Sequence, residues 1–273
     1  MVAVVQSDAR PDDLNKLLSN LERFLFIRMI QMSYLDDELD LLESAVQIVR
    51  GELSIPSFTE KIGALSQKRA EKLDISSATV RWARERSYYG WTGLKYFLFE
   101  YEQHLKAKSR SSRDKLIWED FTREDFEKDY GTIEHIYPQK PKDPYWSSHF
   151  GKLATRERNA VRNSLGNLLA LSRPKNSALG NMPFPKKRDG DLVGGGYRVG
   201  SYSEIEVAEQ KDWTPSSVLE RGVRLLDFME TRWGIRLGTR AQKIASLRLS
   251  FLEGGPGSEE GEDDDEGDAG EAS

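Results

Sequence analysis

Apolar positions recur at helical spacing through the first hundred residues of the chain and then lose that period. Leu14, Leu17, Leu18, Leu21, Phe24 and Leu25 share one face of a helix whose first turn accommodates Pro11. A second helix is expected to carry Leu35, Leu39, Leu42, Ala45, Val46 and Val49, with Gly51 where a C-terminal cap belongs. Further helices are predicted near 57–73, 76–87 and 91–107. The last of these sets Trp91, Leu94, Phe97, Leu98, Tyr101 and Leu105 on one side.

The segment KAKSRSSRDK at 106–115 reads as an exposed linker, and a different pattern follows it. Thr132 to Tyr137 is a short β-favouring run ended by Pro138, and Leu165 to Leu171 is a second, ended by Ser172-Arg173-Pro174. Asn176 to Asn181 then suits a short helix with Pro174 near its start. Residues 189–203 are Gly-rich and match neither a dinucleotide fingerprint nor a phosphate-binding loop. A long amphipathic helix is expected after Thr214-Pro215, with Val218, Val223, Leu226, Met229 and Trp233 inward. The acidic, low-complexity stretch 254–273 reads as a disordered tail. Trp146 and Trp233 are expected in packed parts of the protein. The chain thus divides into a helical support region, 1–112, a second region, 113–253, and the tail.

Composition narrows the class. With 273 residues and 38% hydrophobic content, one large or two small domains can bury a core. No apolar run approaches a membrane span, and the N-terminus lacks a signal peptide's basic start and apolar core, so the chain reads as soluble. Cysteine is absent, which excludes disulfides and thiolate zinc sites and fits a reducing cytoplasm. The net charge of −5 conceals segregation: residues 259–273 hold nine acidic groups and no basic one. Residues 135–200 hold twelve Lys/Arg against four Asp/Glu, a patch suited to a polyanion or simply to a solvated surface.

Of the three histidines, His104 reads as a surface residue late in a helix, and His149 lies in the segment YWSSHF, read as a loop. His135 follows Glu134 on a short strand and leads into the basic region. Adjacent strand residues point to opposite faces, so the pair can serve one site only where the strand bends or one side chain reaches around its edge. Asn167, Asn176 and Asn181 stand in LGNLLALSRPKNSALGN. A side-chain amide can tie two loops together, and its oxygen can bind a hard cation such as Mg²⁺; turn and cap roles are the plainer alternative, favoured for Asn181 beside Gly180.

The segment TIEHIYPQ, then Trp146, then LGNLLALSRPKNSALGNMPFPKK, resembles the C-terminal HNH nuclease domain of GmrSD-type modification-dependent restriction enzymes. The matching positions are Ile133 to Gln139, Trp146, Leu165 to Leu168, Asn176-Ser177, Asn181, Phe184 and Lys187, with Trp213 and Arg232-Trp233 in the sequel. The helices before residue 110 resemble the family's linker helices. The resemblance implies a mainly α fold with an inserted small ββα-metal (HNH, or His-Me) finger, so that 113–253 would be the nuclease domain.

The same resemblance implies that His135 is the general base and that Glu134 and Asn176 ligate one divalent ion, Mg²⁺ or else Mn²⁺. Asn167 would brace the loop carrying His135, with Asn181 a further possible site residue. Lys175, Lys186, Lys187 and Arg188 would hold the DNA backbone. Such a protein would nick DNA within a restriction or anti-phage defence system. Members usually carry an N-terminal sensor domain that uses nucleotide; no such motif stands in this chain, so the resemblance implies a sensor on a separate subunit or on sequence outside it. A non-catalytic nucleic-acid-binding or adaptor module keeping the finger fold, and a nuclease acting on RNA, are the alternatives.

Overall fold

A computed structural model describes residues 10–31, 41–75, 78, 87–111, 113–121, 130–190 and 195–253. The expected helix at 76–87, Leu35, Leu39 and the acidic tail lie wholly or largely outside the described residues. The chain opens with helices α1 (Pro11–Gln31), α2 (Leu41–Val49) and α3 (Ile55–Glu71). Ser54 caps α3 by accepting from the Ser57 N–H, and a proline sits in its first turn. A 3-10 turn at Ser87–Gly90 leads into α4 (Leu94–Lys108). The remainder comprises β1 (Thr132–His135), α5 (Pro144–Phe150), α6 (Thr155–Asn163), β2 (Leu168–Leu171), α7 (Arg173–Leu179) and α8 (Phe184–Asp189). It closes with α9 (Tyr202–Ala208), α10 (Pro215–Trp233) and α11 (Arg240–Ser246). The fold is mainly helical, and among the described residues the sheet is β1 paired antiparallel with β2.

The periodicity is realised unevenly. On α10 all five expected residues are buried, and Thr214 caps the helix while left-handed Gly234 ends it. On α1, Leu17 and Phe24 are buried, but Leu18 and Leu25 are exposed and Phe26, Ile27 and Ile30 go inward instead. On α2 the expected face is the wrong one. Leu42, Val46 and Val49 face outward, while Ser44 and Ile48 are buried, because Ile48 packs with Leu17, Phe24, Ile55, Phe58 and Ile62. His149 belongs to helix α5, capped by Asp143, and not to a loop. The segment 109–115 is tied down as well as exposed: the Tyr202 hydroxyl reaches the Ser111 and Arg113 carbonyls, and Lys115 reaches the Gly200 carbonyl.

A single apolar cluster includes Phe26 and Ile30 of α1, Phe97 and Tyr101 of α4, all of β2, and Leu225 and Trp233 of α10. Side chains from both sides of residue 112 therefore share one core. Trp146 and Trp233 are both buried in it, as their size demands.

Close approach of α10 to the turn before β2 fixes one residue. A Cβ at Gly166 would stand 1.9 Å from the Val218 carbonyl oxygen and 2.7 Å from the Gly222 nitrogen. Arg221 secures the same junction, donating from Nη1 to the Gly166 and Leu168 carbonyls at 2.9 and 2.8 Å. Gly166→Ala is expected to destabilise the protein by ~3 kcal/mol or more, the upper end of overpacking costs, because backbone must move. At Gly63, inside α3, an added Cβ meets only the Asn20 side chain at 3.5 Å. Gly63→Ala is therefore expected to be neutral or stabilising by up to about 1 kcal/mol. Urea denaturation of the two variants measures both; equal losses would refute this account of the junction.

Candidate functional site

β1 and β2 are each four residues long, registered Thr132↔Leu171, Ile133↔Ala170, Glu134↔Leu169 and His135↔Leu168. The ladder ends at His135, and the chain leaves it under the control of Asn167. That side chain is fully buried. Its Oδ1 accepts from the Tyr137 N–H at 2.8 Å and the Trp213 indole N–H at 3.0 Å. Its Nδ2 donates to the Tyr137 carbonyl at 3.0 Å and the Arg162 carbonyl at 2.9 Å. Every hydrogen-bonding position of the amide is used, so the residue after Ile136, the end of α6 and the start of α10 are held in one arrangement.

Glu134 and His135 turn to different neighbours, as adjacent strand residues must. The Glu134 carboxylate is buried; Oε1 receives Lys187 Nζ at 2.5 Å and the Tyr197 hydroxyl at 3.0 Å. Burial pushes this carboxyl above the ordinary carboxylate range, and the Lys187 ammonium pulls it back. Lys187 also donates to the His135 and Ile136 carbonyls, at 3.3 and 3.2 Å. His135 lies under the ring of Tyr89 at 4.5 Å between centroids, with Nε2 3.4 Å from Asn163 Oδ1 and Nδ1 3.4 Å from Gln139 Nε2. Burial pushes its pKa down to about 4, with the Arg162 and Lys187 charges acting the same way against the Asn163 bond, which raises it. His135 is thus a neutral imidazole at neutral pH, able to accept a proton.

Both residues meet again at an open cavity of about 640 Å³ that is also lined by Asn176, Gly180, Asn181, Tyr89, Lys95, Gln139 and Lys140. Four of the residues singled out in the sequence, Glu134, His135, Asn176 and Asn181, therefore share one groove. Asn167 stands behind it. The carboxylate of Glu134 and the amide of Asn176 are hard oxygen donors, and that chemistry fits a hard divalent cation whose shell is completed by water and phosphate. Among the described residues no group of three or more His, Asp or Glu is placed to hold a metal, so the protein's share of such a shell is small.

The basic residues are arranged differently from the expectation. Lys187 is wholly buried on Glu134, so it does not lie open to a phosphate backbone. Lys175 is spent on the buried carboxylate of Glu204 and on the Gly196 carbonyl. Arg188 grips Asp189 and donates to the Lys211 carbonyl at 2.8 Å; with Arg198 it pulls the Asp189 carboxyl down to about 2. Lys186 remains exposed. The exposed lysines that do border the groove are Lys95, from α4, and Lys140. Nothing in the local sequence of Lys95 or Tyr89 marks them, because they arrive from the helical region by tertiary packing. His104 is half-buried against Phe228 rather than a plain surface residue.

Removing the central amide is expected to be costly. Asn167→Ala strands the Tyr137 N–H and the Trp213 indole in a dry interior, at roughly 3 kcal/mol or more of stability. Asn181→Ala, at an exposed position whose backbone carbonyl alone holds Trp146, is expected to stay within about 0.5 kcal/mol of the parent. Thermal unfolding of the pair decides this; a mild Asn167→Ala would mean the loop is braced by something else.

No curated protein and no solved structure matches the chain, but residues 74–228 match the family described as GmrSD restriction endonucleases, C-terminal domain. That span takes in the whole groove, from Tyr89 to Asn181, together with Asn167, Lys187 and Trp213. The helices α1 to α3 precede it. More than half of the chain is covered, and the chain belongs to the C-terminal domain family of the GmrSD restriction endonucleases.

Proposed function

We propose that this protein is a metal-dependent endonuclease of the HNH type that hydrolyses DNA phosphodiester bonds, nicking one strand per site, as the nuclease part of a restriction or anti-phage defence system. The observation that carries this reading is the groove itself. A neutral histidine, a carboxylate and two asparagines border one open cavity, and exposed lysines stand at its margin. The order β1, β2, α7 around it supports a ββα finger.

In this reading His135 accepts the proton of the attacking water; burial holds it neutral while making it a weaker base than a free imidazole. Glu134 and Asn176 would hold a divalent ion, Mg²⁺ or Mn²⁺, which would neutralise charge on the scissile phosphate and stabilise the leaving oxygen. Asn167 positions the chain that carries His135. Lys95, Lys140 and Lys186 meet the phosphate backbone, a role that Lys175, Lys187 and Arg188 are too occupied to fill. A nucleotide-using sensor, on another subunit or on sequence outside this chain, would select the DNA.

One observation favours a second reading. Lys187 already neutralises Glu134, which is how a carboxylate kept for the fold alone is stabilised, and a non-catalytic nucleic-acid-binding module would keep that pair.

Plasmid nicking with Mg²⁺ or Mn²⁺ separates the two. The nuclease reading expects nicking that EDTA abolishes and that His135→Ala lowers by ~10²-fold or more. Asn176→Ala should behave similarly. Lys95→Ala and Lys140→Ala should raise KM and each reduce the salt dependence of binding by about one phosphate contact. DNA binding without nicking under every metal would establish the module instead, and full activity in EDTA would overturn the metal.

A further inference from the structure

The two ring nitrogens of His135 are not equivalent here, and their neighbours distinguish them. An amide oxygen only accepts a hydrogen bond and an amide nitrogen only donates, so the atom facing each ring nitrogen decides where the proton resides. Nε2 faces Asn163 Oδ1 and Nδ1 faces Gln139 Nε2, each at 3.4 Å. An asparagine amide can be turned end for end, and its other contacts must fix its direction. For Asn163 they do. Its Nδ2 donates to the Asn159 carbonyl at 3.1 Å, one turn back along α6. Turning the amide would set oxygen against oxygen at that carbonyl. Oδ1 therefore faces the histidine, and Nε2 must carry the hydrogen. The exposed Gln139 amide can turn either end to Nδ1; with its nitrogen there it is compatible with the same choice, which rests on Asn163.

The setting reinforces the choice. His135 is buried at the edge of the cavity, and the Tyr89 ring lies 4.5 Å from its own, which limits ring rotation and water access. Asn163 is itself anchored, as the last residue of α6, beside Arg162. That arginine donates to the Pro138 carbonyl at 3.1 Å and lies over Tyr137. The end of one helix thus holds both the histidine and the loop after it. Gln139, by contrast, is exposed and lines the cavity, so it can move aside without disturbing the core.

We infer that Asn163 is a positioning residue that fixes neutral His135 with its hydrogen on Nε2, so that Nδ1 is the atom that takes the proton from water and Gln139 covers Nδ1 until substrate displaces it. This rests on the nuclease reading above. In the step, the water oxygen forms its bond to phosphorus as its proton passes to Nδ1. The bond from phosphorus to the leaving oxygen breaks with its electron pair, that oxygen takes a proton from solvent, and the imidazolium returns its proton to solvent. The role given to Asn163 is the one an orienting carboxylate plays beside a hydrolase histidine, supplied by a neutral acceptor.

Long-range ¹H–¹⁵N correlation of the full chain carrying ¹⁵N-labelled histidine reads the tautomer directly, without metal or turnover. His135→Gln identifies the relevant signals among the three histidines. The wild type is expected to show the Nε2–H form. Asn163→Leu should mix the tautomers and lower the nicking rate on the order of tenfold at unchanged KM, a part of the ~10²–10⁴ that a general base supplies. Asn163→Asp, which keeps the acceptor, should restore both. An Nδ1–H form in the wild type, or an unchanged tautomer in folded Asn163→Leu, overturns the assignment while nicking by the wild type keeps the nuclease reading intact. A wild type with the Nε2–H form that never nicks supports the tautomer and refutes the nuclease.

Discussion

An amide buried without water must find protein partners for two donors and two acceptor positions, and Asn167 finds all four within 3.0 Å. The partners come from three separate stretches: the segment leaving β1, the last turn of α6, and the residue that leads into α10. None of these stretches is long enough to hold its geometry alone. Two four-residue strands make a ladder that is marginal in isolation, and α6 is barely more than two turns. The bonds of one side chain, in a low-dielectric surrounding, replace the regular structure that this part of the molecule lacks. His135 is placed by them although none of the four bonds reaches its side chain.

Buried charge follows the same logic around this centre. Glu134 is met by Lys187 and Tyr197, Glu204 by Lys175, and Glu102 by the Tyr202 and Ser203 N–H groups and the Ser203 hydroxyl. Removing either member of such a set leaves a group without a partner, so each set pins two remote elements together. This is why part of the basic stretch is withheld from a phosphate. Lys175 and Lys187 are spent on buried carboxylates, while Lys140 and Lys186 stay exposed and Lys95 joins the groove from α4.

How much of this was legible in the sequence depended on the kind of signal. The inward face of α10 was readable because a long helix averages over many positions. The face of α2 was not, because nine residues give the period little to average over and the apolar residues sit on both sides. Glu134, His135 and Asn176 were brought together in the sequence only by the family resemblance, which also supplied Asn167 as a brace. Asn163 and Gln139 were missed as partners of His135, although Gln139 stands inside the motif, since an amide's role is set by what it faces. Tyr89 and Lys95 carried no signal at all, as their place at the groove comes from how α4 and the turn before it pack. The burial of Lys187 was equally hidden: a lysine beside two other cations reads as surface until the carboxylate opposite is seen.

The helix α1 lies outside the family match, yet it finishes a helix, α10, most of which lies inside it. Arg23 donates to the Trp233 and Gly234 carbonyls at 2.7 and 3.1 Å, groups that the end of α10 leaves without helical partners. Glu22 accepts from the Trp233 indole at 2.6 Å, and Phe26 stacks on the same ring. A boundary drawn where sequence similarity begins is therefore not a seam along which the protein can be excised. The matched span and the unit that closes its own hydrogen bonds differ here by at least the helix α1.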